Sequence, residues 1–176
     1  MSKTLLLMRH AKSIWNDPAV ADFDRKLNKR GIKAAARMGT HMRDMGVVPE
    51  FTLCSSARRA KETWDLVQDS FDGSVEVKIM KRLYLASPTQ ILGAVRTVPD
   101  SVRYLLVLAH NPGIQELAHR LSSVPKDENA RRLGEAVRTK FPTAALVILT
   151  MEIGSWTEID LGGGHLEDFV RPRELT

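Results

Sequence analysis

Cysteine is nearly missing from the 176-residue chain: Cys54 stands alone. No disulfide can form within the chain, so its stability has to come from burial, and a lone thiol suits a reducing compartment. A cysteine phosphatase is excluded as well, because a C-x5-R loop would need arginine six residues after Cys54, where Ala60 stands. Long apolar runs are also lacking. The run Leu5 to Met8 stops at Arg9 and His10, too short for a signal peptide core or a membrane span. A cytoplasmic protein with no membrane partner is expected. Aromatic residues make up 6% of the chain and are not interleaved with basic ones, and no nucleic-acid motif is present, so no nucleic acid partner is expected. No metal-ligand cluster is evident, and neither metal nor cofactor is expected. Repeats, low-complexity tracts and Pro/Gly/Ser linkers are missing too, so residues 1–176 read as a single domain.

What is present is an alternation of short apolar runs with amphipathic segments. Strands are predicted at Thr4–Met8, Phe51–Cys54, Val75–Met80 and Arg103–Ala109. Helices are predicted over Asn28–Met45, with Asn28 as N-cap and Gly46 as stop, over Ala57–Ser70, from Pro88 to about Thr97, and from Pro112 to Leu121. Ala144–Met151 and Trp156–Leu161 read as a strand pair turning at Gly154-Ser155. Strand alternating with helix predicts a three-layer α/β/α sandwich with a mostly parallel central sheet. In such sheets ligands sit beyond the carboxyl ends of the strands. Arg9-His10, Ser55 to Arg59 and His110-Asn111 each follow a predicted strand directly.

Those residue types at converging strand ends suit phosphoryl transfer. Arginine is a permanently charged bidentate donor to phosphate oxygens. Neutral imidazole is a competent nucleophile. Arg58 and Arg59 fall in a helix's first turn, where the dipole disfavours cations unless an anion is bound. A protonated His110 beside a helix N-terminus would offset charge developing on the transferring group. The net charge of +5 permits steering of anionic ligands but equally describes a solvated basic surface. His41, His119 and His165 are expected in surface or capping positions, with a substrate-side role left open for His165.

The segment Arg9-His10-Ala11-Lys12-Ser13-Ile14-Trp15-Asn16 resembles the RHGxSxWN signature of the histidine phosphatase superfamily, which includes phosphoglycerate mutases. Asp24, Leu27, Gly31 and Ala35 echo its D-x-x-L-T-x-x-G-x-x-Q-A stretch. Cys54 to Thr63 is similar to its S-P-x-x-R-A-x-x-T motif, and Leu108-Ala109-His110-Asn111 matches the second-histidine motif. The resemblance implies a phosphoglycerate mutase-like fold with His10 as nucleophile. It implies that Arg9, Arg59 and His110 bind and stabilise the phosphoryl group, with Asn16, Ser13 and Asn111 as substrate-binding residues. Arg58 matches no catalytic position.

Departures from the pattern bear on the substrate. Ala11 and Lys12 replace the usual glycine and glutamate, and Ser56 the common proline. Mutase-like members carry a glutamate in the segment aligned with Arg82 to Leu85, and acid phosphatases an aspartate where Asn111 stands. Without a positioned acid, an alkoxide leaves poorly, whereas the P–N bond of phosphohistidine is labile. The chain accordingly resembles the short SixA-type phosphohistidine phosphatases, in its RHAKS opening, its LYLASP and AHNPG segments and the region from Trp156 to Pro172. The partner implied is a phosphohistidine-bearing protein or a small phosphorylated substrate, with phosphate as product. Two alternatives stay open: a small-molecule phosphomonoesterase with a carboxylate supplied by Asp17, Asp22 or Asp24, and a non-catalytic phosphoprotein-binding module.

Overall fold

The computed structural model describes residues 1–175. Its centre is a six-stranded sheet of β1 (Lys3–Arg9), β2 (Phe51–Ser55), β3 (Glu76–Met80), β4 (Tyr104–Ala109), β5 (Leu146–Met151) and β6 (Gly164–Val170). The strand order is β3-β2-β4-β1-β5-β6. β1 to β4 pair in parallel, β5 runs against β1, and β6 runs against β5. Only β5 is therefore reversed, and the sheet is mostly parallel.

The helices are α1 (Lys29–Asp44), α2 (Arg58–Gln68), α3 (Pro88–Val95), α4 (Gly113–Leu121) and α5 (Glu128–Thr139). The period-2 side-chain alternation of a strand sorts them into two layers. Leu5 and Leu7 of β1, with Leu105, Val107 and Ala109 of β4, face the core made with α3, α4 and α5. Leu6, Met8, Leu106 and Leu108 face the opposite core, with Met38 and Met42 of α1 and Trp64 and Val67 of α2. Both faces of the central strands are thus buried, which is why they read as unbroken apolar runs.

The predicted N-cap of α1 has its partner, and α3 is capped as well. The Asn28 side chain accepts from the Gly31 amide, and Ser87 and Gln90 form a reciprocal capping box ahead of Pro88. A Cβ on Gly31 would lie 2.1 Å from the Lys12 carbonyl oxygen. Glycine there lets α1 press against the segment that follows His10. Among the described residues no helix is long and apolar enough to cross a membrane.

The end of the chain differs from expectation. Trp156–Glu158 is a 3-10 turn, and the sixth strand is Gly164–Val170. Trp156 and Ile159 are both buried, and spacing of three fits a turn rather than a pleated strand. The Trp156 indole N–H donates to the Val102 carbonyl at 2.9 Å, pinning the turn in place. Helix α5 was not anticipated. Its buried Ala130, Leu133 and Val137 keep helical spacing, and Asp127 caps it by accepting from the Ala130 amide. Ile32 and Met45, at the two ends of α1, are substantially exposed.

Candidate active site

Three strand ends meet at the carboxyl edge of the sheet. Arg9 pairs in register with Ala109, so the following residues, His10 and His110, sit side by side with ring centroids 5.0 Å apart. β2 leads into α2, whose first turn supplies Arg59. Together they line a cavity of about 620 Å³ with Lys12, Ser13, Trp15, Asp22, Arg25, Arg30, Asn111 and Lys140. The lining carries six cationic side chains, Arg9, Lys12, Arg25, Arg30, Arg59 and Lys140, against one carboxylate, Asp22. A cavity of that balance favours a multiply charged anion.

The hydrogen bonds fix which nitrogen of each imidazole is free. His10 Nδ1 lies 2.8 Å from the Ala11 carbonyl oxygen, which can only accept. Nδ1 therefore carries the proton, and the Nε2 lone pair receives the Arg59 Nε–H at 3.2 Å. His110 is the converse. Its Nδ1 accepts from Arg59 Nη2 at 3.3 Å, so Nε2–H donates to Ser55 Oγ at 2.7 Å.

Both rings are neutral in this arrangement. Burial holds His10 well below the usual imidazole value, and the charges of Arg59 and Arg9 add to the effect against the opposing Ala11 hydrogen bond. Burial, then the Arg59 charge, lowers His110 to about 3. The expectation of a protonated His110 is thereby corrected for the free protein: a buried ring beside a guanidinium does not hold a proton at neutral pH.

These depressed imidazoles couple stability to pH. The unfolded chain takes up protons below the ordinary imidazole value of about 6.5 while the folded protein stays neutral until His110 reaches about 3. Folding stability is thus fully present above 6.5 and is lost as pH falls through that window. Denaturant unfolding at pH 5 is expected to show a free energy lower than at pH 7.5 by on the order of 2 kcal/mol from His110 alone. Equal stability at the two pH values would mean that the imidazoles are not buried neutral.

Arg59 is 2% exposed and central to the network. Besides the two histidines it donates from Nη1 to the Asp22 carbonyl at 2.6 Å and from Nη2 to Asp22 Oδ2 at 3.1 Å. Arg9 donates from Nη1 to the Phe141 carbonyl at 2.9 Å, while its Nε is buried without a partner. Arg58 turns away to pair with Glu62 on the surface.

The substrate-binding expectations divide. Ser13 is buried in the lining, where its Oγ accepts from Arg25 Nη1 at 2.8 Å. Asn111 spends both Nδ2 hydrogens on Gln115 Oε1 and the Phe141 carbonyl, leaving only its buried Oδ1 unpartnered. It therefore offers the cavity an acceptor and ties α4 to the loop before β5. Asn16 is exposed and does not line the cavity.

Of the three loop aspartates, Asp22 alone reaches the cavity; Arg25 lines it too and Tyr84 donates to the Asp22 carboxylate, neither having been anticipated. Burial alone would raise the Asp22 carboxyl. Hydrogen bonds from Tyr84 and Arg25 and the Arg59 charge outweigh it and hold the group at about 2. Asp22 is therefore ionised at neutral pH and has no proton to donate. Arg25 stacks on Trp15, 3.6 Å from guanidinium to ring centroid. Cys54 is buried, and burial pushes its thiol up to about 12, which removes it as a nucleophile. His165 stands at the start of β6, on the opposite edge of the sheet, in a separate hollow of about 430 Å³ with His119. Among the described residues no group of three or more His, Cys, Asp or Glu could hold a metal ion.

Comparison with known proteins agrees with this architecture. The sequence profile of the histidine phosphatase superfamily (branch 1) matches residues 5–84. An uncharacterised protein of Mycobacterium tuberculosis is 35% identical over 166 residues, which span 94% of this chain and all of that protein. The solved structure of a candidate phosphohistidine phosphatase, SixA, from Nakamurella multipartitia has a TM-score of 0.84 at 26% identity, covering 98% of this chain and 97% of that one. A second candidate SixA, from Agrobacterium tumefaciens, has a TM-score of 0.79 at 25% identity, covering 97% and 98%. This chain belongs to the histidine phosphatase superfamily and is of the SixA type.

Proposed function

We propose that the protein removes the phosphoryl group from phosphohistidine on a partner protein, through a covalent phosphohistidine on His10. The observation that carries this is the His10 hydrogen bond. With Nδ1–H held by the Ala11 carbonyl, the Nε2 lone pair is the only nucleophile the ring can present. Nε2 attacks phosphorus as the partner's P–N bond breaks, and the partner's imidazole, protonated on its second nitrogen, departs neutral. Phospho-His10 keeps its own Nδ1 proton, so it too departs neutral when water attacks phosphorus. Phosphate is released, one water proton passes to bulk solvent, and His10 returns to its starting form. Arg9 and Arg59 neutralise the phosphoryl oxygens in both steps. An arriving dianion also favours protonation of His110, which then donates to it.

Substrate choice follows from the ionised Asp22. An alkoxide needs a proton that a carboxyl held at about 2 does not carry at neutral pH. Imidazole departs without one. The cavity mouth supports a protein-borne substrate. Trp15 is 76% exposed and Leu85 56%, and Leu85 has a left-handed φ of 49°, a conformation costly for a residue with a Cβ. Two exposed apolar side chains at a basic rim suit the acidic surface of a partner domain better than a small metabolite.

The test is turnover of a phosphohistidine-bearing protein against sugar phosphates at equal concentration. A preference of at least about 100-fold for the P–N bond is expected, from the missing acid. Faster turnover of the sugar phosphates would favour the phosphomonoesterase reading and assign Asp22 the acid's role.

A further inference from the structure

The resting network around Arg59 is closed by its own side chains. Arg59 has five N–H groups, and four of them are spent: one on His10 Nε2, one on His110 Nδ1, one on the Asp22 backbone carbonyl and one on the Asp22 carboxylate. The donors that would grip a phosphoryl group are therefore engaged by acceptors of this chain, and the nucleophile's lone pair is itself covered by the Arg59 Nε–H. Asp22 holds the second guanidinium too. Its Oδ1 accepts from Arg25 Nε at 3.1 Å and Nη2 at 2.8 Å, while Oδ2 accepts from Tyr84 at 2.5 Å as well as from Arg59.

We infer that Asp22 is an internal counter-anion that occupies the phosphoryl group's place on Arg59 and is exchanged for it on binding. This rests on reading the cavity as a phosphoryl site. Chain geometry decides which partner gives way. Arg59 is buried in the first turn of α2 and packed between two imidazoles. Asp22 stands on a three-residue 3-10 turn in an exposed loop, with 43% of its side chain open to solvent. The half-exposed carboxylate can turn out to water and exchange its bond to Arg59 for bonds to solvent, whereas the buried guanidinium has no solvent to turn to. When a phosphoryl dianion takes over the Arg59 donors, the His10 lone pair is uncovered at the moment a target for it arrives. Weaker anions, carrying less charge than the exchange requires, leave the site closed.

The exchange has a second consequence. Orthophosphate, the product, must also displace Asp22, so the carboxylate keeps product affinity low and promotes release. Without Asp22 the same cavity would keep six cations and lose its one acid, and phosphate would be held more tightly.

Titration of orthophosphate into the intact protein, followed by calorimetry, tests the inference. Asp22→Asn is expected to bind phosphate about ten-fold more tightly than wild type, a magnitude reduced by solvent screening at a half-exposed site. Asp22→Glu, which keeps the charge, is expected to remain within about three-fold of wild type. Asp22→Ala predicts the same direction as Asp22→Asn and replaces it if that variant does not fold. A residue that merely braces Arg59 predicts the opposite sign, since loosening the guanidinium weakens phosphate binding. Unchanged or weaker binding in the neutral variants therefore overturns the inference alone. Absence of phosphate binding in wild type and variants alike would overturn the phosphoryl-site reading with it.

Discussion

His10→Ala is expected to abolish the phosphoenzyme and to lower kcat/KM by on the order of 10⁴-fold or more, the range seen when a covalent nucleophile is removed. Wild type incubated with a phosphohistidine donor should take up one acid-labile, alkali-stable label per chain, and the variant none. The substitution removes a ring that is 7% exposed and makes two hydrogen bonds, so the fold should survive it. The pH profile adds an independent check. The proposed attack requires the unprotonated Nε2, and His10 is held well below the usual imidazole value of about 6.5 by burial and cationic neighbours. Activity should thus show no loss attributable to His10 as pH falls through 6.5, and should decline only at distinctly lower pH. Equal labelling of the variant, or its turnover within ten-fold of wild type, would rule out covalent catalysis at His10.

The strand ends were legible because each buried run stops abruptly at a polar residue. Leu5 to Met8 gives way to Arg9 and His10, and Leu105 to Ala109 to His110. In a parallel sheet those ends share one edge, so adjacency followed from topology without knowledge of any distance. Nothing of the kind marks Asp22, Arg25 and Tyr84. They come from short 3-10 turns or the residues just after them, which have no apolar period, and they are gathered by hydrogen bonds to one another. The Ser13–Leu27 bridge, which folds the intervening loop back over the cavity and closes two residues after Arg25, is seen only in the structure. The charge state of His110 was equally out of reach. It depends on burial and on Arg59, which is 51 residues away in sequence. The misplaced last strand has a different cause. WTEIDL alternates well enough for a strand, and only the burial of Trp156 against Val102 selects the turn.

Arg59→Lys is expected to cost on the order of 10²–10³-fold in kcat/KM although it conserves the charge. Arg59 reaches His10, His110 and two atoms of Asp22 from three nitrogens spread over a planar fork. A lysine ammonium places three donors on one atom, so it can satisfy part of that set and cannot hold two equatorial phosphoryl oxygens as the fork does. Arg59→Ala should lose more, with a stability cost of about 2–4 kcal/mol from a buried side chain removed amid its acceptors. The two variants separate charge from geometry by their pH dependence. The Arg59 charge is among the causes that lower both imidazoles. Removing it in Arg59→Ala lets His10 and His110 rise toward 6.5, so the acid loss of residual activity should move to higher pH. Arg59→Lys retains the cation and should keep the acid limb near that of wild type while its rate stays low. Full-rate catalysis by Arg59→Lys would show that charge alone suffices at this position, and the planar donor fork would then have no part in the mechanism.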